Sequence, residues 1–183
     1  MSADHQVALD ANCVTFYMEA MWDDYDPARD NTEIAPERAA LLRAWLFTDI
    51  TYTLLPAAEA EYKCIRDRAR LEAHNAVAGA LMLDVADPLP EAVVSARASE
   101  LRISHGGAAD CRTLAEAELV PVEVLLTFDK QMIARLRDKS KSVRIMKPSE
   151  YLHSLDLGPH AQPVLRPKPE NPLSEKTWWK VLT

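Results

Sequence analysis

Residues 122–130 read VEVLLTFDK. Val122 to Thr127 is β-branched and apolar apart from Glu123, is bounded on one side by Pro121, and predicts a buried strand. An acid, Asp129, stands just past its end. The same pattern occurs at the start of the chain. Residues 5–10, HQVALD, form a short apolar strand whose last residue is Asp10. TYTLL (51–55) is a third candidate strand, ended by Pro56, and SVRIM (142–146) is a last one.

Helical spacing fills the intervals. Val14, Tyr17, Met18 and Met21 mark a helix over 11–22, and Asp23, Asp24, Asp26 and Pro27 break it. Pro36 opens a second helix over about 36–48, with Leu41, Leu42, Trp45 and Leu46 as its apolar stripe. A long helical stretch is expected from about 57 to 75, with 76–84 as a further apolar helix. Helices over about 90–102, 109–119 and 130–138 follow, and Gly106 and Gly107 form a loop before Asp110. Strands alternating with helices predict an α/β fold with a mostly parallel sheet. The prolines at 159, 163, 167, 169 and 172 set the end of the chain apart. The expected organisation is one domain over 1–155 and a proline-rich extension over 156–183.

Composition narrows the function. With 48% hydrophobic residues in 183, one sizeable core is affordable, and no apolar run is long enough to cross a membrane. Cys13, Cys64 and Cys111 show no metal-ligand spacing, which predicts a reducing, cytoplasmic setting and small buried side chains. The net charge of −7 disfavours a nucleic-acid coat protein or repressor. It leaves room for a nuclease, whose metal returns positive charge where phosphate binds.

In an open α/β sheet, ligands bind beyond the carboxyl ends of the strands. That rule selects Asp10, Glu61 (about a turn into the helix after TYTLL), Asp110 and Asp129. Carboxylates brought together repel, and a hard divalent cation relieves them. Oxygen-only ligands favour Mg²⁺ or Mn²⁺. The structural alternatives are a helix-capping Asp110 and a turn-forming Asp129.

At this point the residues resemble a known family. VALDANCVTFYMEA is similar to the opening of PIN domains, where an apolar strand ends in Asp-x-Asn before a helix. LLPAAEAEY resembles their second strand and glutamate-bearing helix, and ADCRTLAEAELVPVEVLLTFDK their closing signature, which ends in Thr-x-Asp. SVRIMKPSEYL looks like the last strand and its exit. The resemblance spans about residues 5–152. It implies a three-layer α/β/α fold with a central sheet of four or five strands. It also implies a metal-dependent endoribonuclease acting on single-stranded or loop RNA, in a family rich in toxins of toxin–antitoxin pairs and in homodimers.

Asp10, Asp110 and Asp129 would then be metal ligands and Glu61 the helix-borne acid, with Asn12 and Thr127 supporting them. Glu59 is its rival, because two positions along a helix turn by about 200° and only one faces the cleft. Lys130, next to Asp129, is the cation expected at the scissile phosphate. Arg135, Arg137, Lys139, Lys141, Arg144 and Lys147 form the dense basic stretch, read either as a phosphate-holding surface or as a solvated face. Among the histidines, only His105 lies in the loop before Asp110. Trp178 and Trp179 in the tail are an expected anchor for an antitoxin or other protein, and Arg166 and Lys168 a restraint on the acidic cleft. Two other readings stand beside the nuclease. One is a non-catalytic PIN-like module that binds RNA or protein. The other is a phosphoryl-transfer enzyme, which Asn12 disfavours because a second Asp belongs there.

Overall fold

The computed structural model describes residues 6–22, 25, 29–48 and 50–157, with nothing stated of the Trp22 side chain. Residues 158–183 of the proline-rich extension, with the Trp178–Trp179 pair, and the acidic break at 23, 24 and 26 lie outside the described residues.

Five strands form one sheet: β1 (Gln6–Leu9), β2 (Thr51–Leu54), β3 (Met82–Asp84), β4 (Val124–Leu126) and β5 (Arg144–Met146). Their order is β3-β2-β1-β4-β5, and every pairing is parallel. The helices are α1 (Ala11–Trp22), α2 (Ala35–Phe47), α3 (Pro56–Tyr62), α4 (Arg68–Leu81), α5 (Glu91–Leu101), α6 (Ala108–Ala117), α7 (Lys130–Leu136) and α8 (Pro148–Ser154).

The period of two along each strand divides the core between two faces. Val7, Leu9, Tyr52, Leu54, Val124 and Leu126 pack with residues of α1, α2, α3, α4 and α8. Ala8, Leu125 and Ile145 point to the other face, against α5, α6 and α7. The result is the expected three-layer α/β/α fold, with apolar side chains on both faces of the sheet as a parallel sheet requires. Tyr52 is fully buried, and its hydroxyl donates to the Leu41 carbonyl oxygen at 2.7 Å. Tyr52→Phe should therefore cost about 1 kcal/mol in urea denaturation, the net worth of one buried hydrogen bond.

Three elements depart from expectation. The long helix is two helices, because the chain turns at residues 63–67 and Asp67 caps α4 by accepting the Arg70 N–H. Residues 82–84 are a strand, β3, where a helix was expected. α8 follows β5 directly, with Pro148 in its first turn.

Candidate functional site

The strand order reverses between β1 and β4, since the chain builds outward through β2 and β3 and then returns to the other side of β1. Ligand crevices open at such switch points. Leu9 lies opposite Leu126, so the next residues, Asp10 and Thr127, emerge side by side. The Asp10 N–H donates to the Leu126 carbonyl at 3.0 Å, which ties the two strand ends together.

Asp10 is 6% exposed. Its carboxylate accepts the Cys13 N–H at 2.7 Å and the Thr127 hydroxyl. Thr127 Oγ1 in turn accepts the Asp129 N–H at 2.9 Å. Burial pushes the Asp10 carboxyl up to about 6, and the charge of Asp110 adds to the rise; the bonds from Thr127 and Cys13 oppose it.

Asp110 lies in the first turn of α6, but the cap position there belongs to Gly107. Its Oδ2 meets His105 Nε2 at 2.6 Å. A Cβ on Gly107 would collide with both of these atoms, so glycine is what lets the imidazole and the carboxylate meet. Asp129 is the N-cap of α7, and its Oδ1 accepts from Gln131 N at 2.6 Å and Met132 N at 3.1 Å. Glu59 is ion-paired with Lys63 at 2.5 Å. Glu61 is exposed, and no ion pair joins it to another described residue.

Asp10, Thr127, Asp129 and Asp110 thus gather at one edge of the sheet, while no contact places Glu61 beside Asp10. Asn12 is exposed near the start of α1. Lys130 reaches Glu33 at 2.5 Å. Arg135 is in the last turn of α7, and α7 runs back toward the opposite edge of the sheet. Lys141, before the start of β5, pairs with Glu100, whereas Arg137 donates to the Ile145 carbonyl at 3.0 Å and pairs with Glu150, whose carboxylate also accepts the Lys147 N–H at the carboxyl end of β5. Lys147, at the carboxyl end of β5, is on the same edge as the acids.

Among the described residues, no three His, Cys, Asp or Glu side chains are set to hold a metal ion. Asp10, Asp110 and Asp129 each have hydrogen-bond partners of their own. The donor set still fits a hard cation. Mg²⁺ is usually held by one or two carboxylates, with water and substrate phosphate completing its shell. Asp10 and Asp110 are the two oxygen donors that could serve in this way, and the charge of Asp110 adds to the rise of the Asp10 carboxyl.

One further carboxylate was not singled out in the sequence. Glu116 of α6 is 1% exposed, accepts the Ala57 N–H at 2.7 Å and pairs with Arg112 at 2.9 Å. It locks the start of α3 onto α6. Its signal was an Arg-x-x-x-Glu spacing that reads as an ordinary surface pair. Glu116→Ala should cost about 1–3 kcal/mol in thermal or urea unfolding, since it removes a buried carboxylate together with its bonds to the partly buried Ala57 N–H and to Arg112. Glu116→Gln should be milder. It keeps an acceptor, and burial already raises the Glu116 carboxyl.

No protein-family profile matches the chain. No curated protein matches it either. Among solved structures it is similar to FitAcB from Neisseria gonorrhoeae, with 16% identity and a TM-score of 0.43; the alignment covers 78% of this chain and 98% of that one. None of the described helices is long and apolar enough to cross a membrane.

Proposed function

We propose that this chain is a PIN-like, Mg²⁺- or Mn²⁺-dependent ribonuclease that hydrolyses phosphodiester bonds in single-stranded or loop RNA. The observation that carries the reading is Asp10. A carboxyl buried at the switch point and raised to about 6, chiefly by desolvation with a smaller push from the charge of Asp110, is costly to keep for structure alone. Its hydrogen bonds come from the Thr127 hydroxyl and from the backbone and side chain of Cys13, with no cationic side chain among them. The Asp-x-Asn and Thr-x-Asp motifs stand at this point of the fold.

In this reading Asp10 and Asp110 hold the ion, with Asp129 and Glu61 completing its surroundings directly or through water. A bound divalent ion supplies an activated water and neutralises charge on the phosphate. Thr127 fixes the Asp10 carboxylate, and His105 orients Asp110 as an outer partner of the site. Lys130 is the nearest cation in sequence for the phosphate, once released from Glu33. The proposed setting is that of a toxin-type nuclease, with homodimer formation and an antitoxin or other protein engaging the extension over 156–183.

A non-catalytic RNA- or protein-binding module is the second reading. Two observations favour it: the lack of a three-acid group among the described residues, and the engagement of Asp129 with its own helix. Incubation of the purified chain with single-stranded RNA separates the two. The nuclease cuts with Mg²⁺ or Mn²⁺ and stops with a chelator. A chain that binds RNA and leaves it intact under every metal condition is the module.

A further inference from the structure

We infer that the cavity beside Asp129 takes one nucleobase of a single-stranded RNA, stacked against Phe128. This rests on the ribonuclease reading above and gives that site its substrate contact. The cavity is about 380 Å³ and opens between α1, the start of α2 and the turn after β4. That is within the range of small-ligand sites, roughly 300–1,000 Å³. Asn12, Phe16 and Glu19 line it from one face of α1, Arg38 from α2, and Phe128 and Asp129 from the turn. Asn12 and Asp129 belong to the candidate site as well, so an occupant lies next to Thr127 and Asp10.

The walls suit a base. Phe128 is half-buried, and its ring is held at 69° to Phe16 with centroids 6.0 Å apart. A ring fixed in advance loses little freedom when a base stacks on it. The Arg38 guanidinium lies 4.9 Å from the Phe16 ring centroid and is anchored to Asp30 at 3.1 Å. Its Nε is buried with no hydrogen-bond partner among the described residues. Guanidinium planes and aromatic rings are what single-stranded RNA bases stack on. The exposed Asn12 amide offers both donor and acceptor to a base edge.

A phosphate is the wrong occupant. Asp129 and Glu19 are on the wall, and Arg38 is already spent on Asp30. The neutral base fits here, and its phosphate falls toward the Asp10–Asp110 pair.

Binding is read separately from cleavage. Fluorescence anisotropy with Ca²⁺ would compare labelled decauridylate with an abasic ribose-phosphate decamer, and Mn²⁺ assays would follow cleavage. The wild-type chain should prefer the decauridylate. Phe128→Ala should weaken that binding about tenfold and leave the abasic strand unaffected, while Phe128→Tyr should restore it. Equal wild-type affinity for both strands, binding of neither, or equal weakening of both by Phe128→Ala overturns the inference. Should Phe128→Ala fail to fold, the wild-type comparison of the two strands decides alone. Base-selective binding without metal-dependent cleavage keeps this subsite and removes the nuclease; cleavage without base preference does the reverse.

Discussion

Asp10→Asn is expected to lower metal-dependent RNA cleavage by about 10³-fold or more, the scale of losing a group that organises charge at the reacting phosphate. The substitution keeps the size of the side chain. An amide oxygen can still accept the Cys13 N–H that now reaches Asp10 at 2.7 Å. An amide nitrogen can donate to Thr127 Oγ1, which is an acceptor already toward the Asp129 N–H. What vanishes is the negative charge of Asp10, and with it half of the proposed ion site. Cleavage assays in Mn²⁺, alongside circular dichroism to confirm the fold, give the answer. Activity that survives both Asp10→Asn and a chelator contradicts the mechanism.

The same substitution should stabilise the chelator-treated protein at neutral pH. Burial raises the Asp10 carboxyl from 3.8 to about 6 in the folded chain. The folded state therefore holds this proton more tightly than the unfolded state. Its contribution is fully present below pH 3.8 and is lost as pH rises through about 6. At about 1.4 kcal/mol per pH unit, the loss reaches about 3 kcal/mol above pH 7. Asp10→Asn has no such proton to lose. Urea denaturation should find the variant and the wild type similar near pH 4, with the variant ahead by about 3 kcal/mol at pH 7.5. Acids that do not interact with Asp10 titrate alike in both proteins and cancel in the difference. A gap that does not change with pH would show that Asp10 is not held in this way.

How much of this was legible depends on length and locality. β1, β2 and β4 announce themselves because β-branched and apolar residues follow one another until a proline or an acid ends the run. The acids at their carboxyl ends follow from the rule for α/β sheets. β3 was hidden. Met82, Leu83 and Asp84 continue an alanine-rich helical pattern, and only pairing with β2 through Leu54 and Asp84 makes them a strand. The turn at 63–67 contains neither glycine nor proline, so the helix pattern seemed unbroken, although Asp67 is a good N-cap. Pro148 with Glu150 was a readable helix start that passed as an exit segment.

In the site, Asp10 and Asp129 were readable as acids at the ends of β1 and β4, whereas Thr127 came only with the family resemblance. The His105–Asp110 bond was not, since it depends on the space that Gly107 leaves. Likewise, Asp129 was read as a ligand with a turn role as the alternative, and its carboxylate caps α7. The basic stretch looked continuous in sequence, yet the structure divides it: Lys141 pairs with Glu100 before the start of β5, while Arg137 and Lys147 both meet Glu150 at its carboxyl end.

Titration calorimetry of Mn²⁺ into the chain at pH 7.5 is the most direct trial of a cation shared by Asp10 and Asp110. Saturable binding by the wild type, abolished in both Asp10→Asn and Asp110→Asn while both variants stay folded, is the predicted result. No heat of binding in the wild type, or the same isotherm in all three proteins, would contradict it.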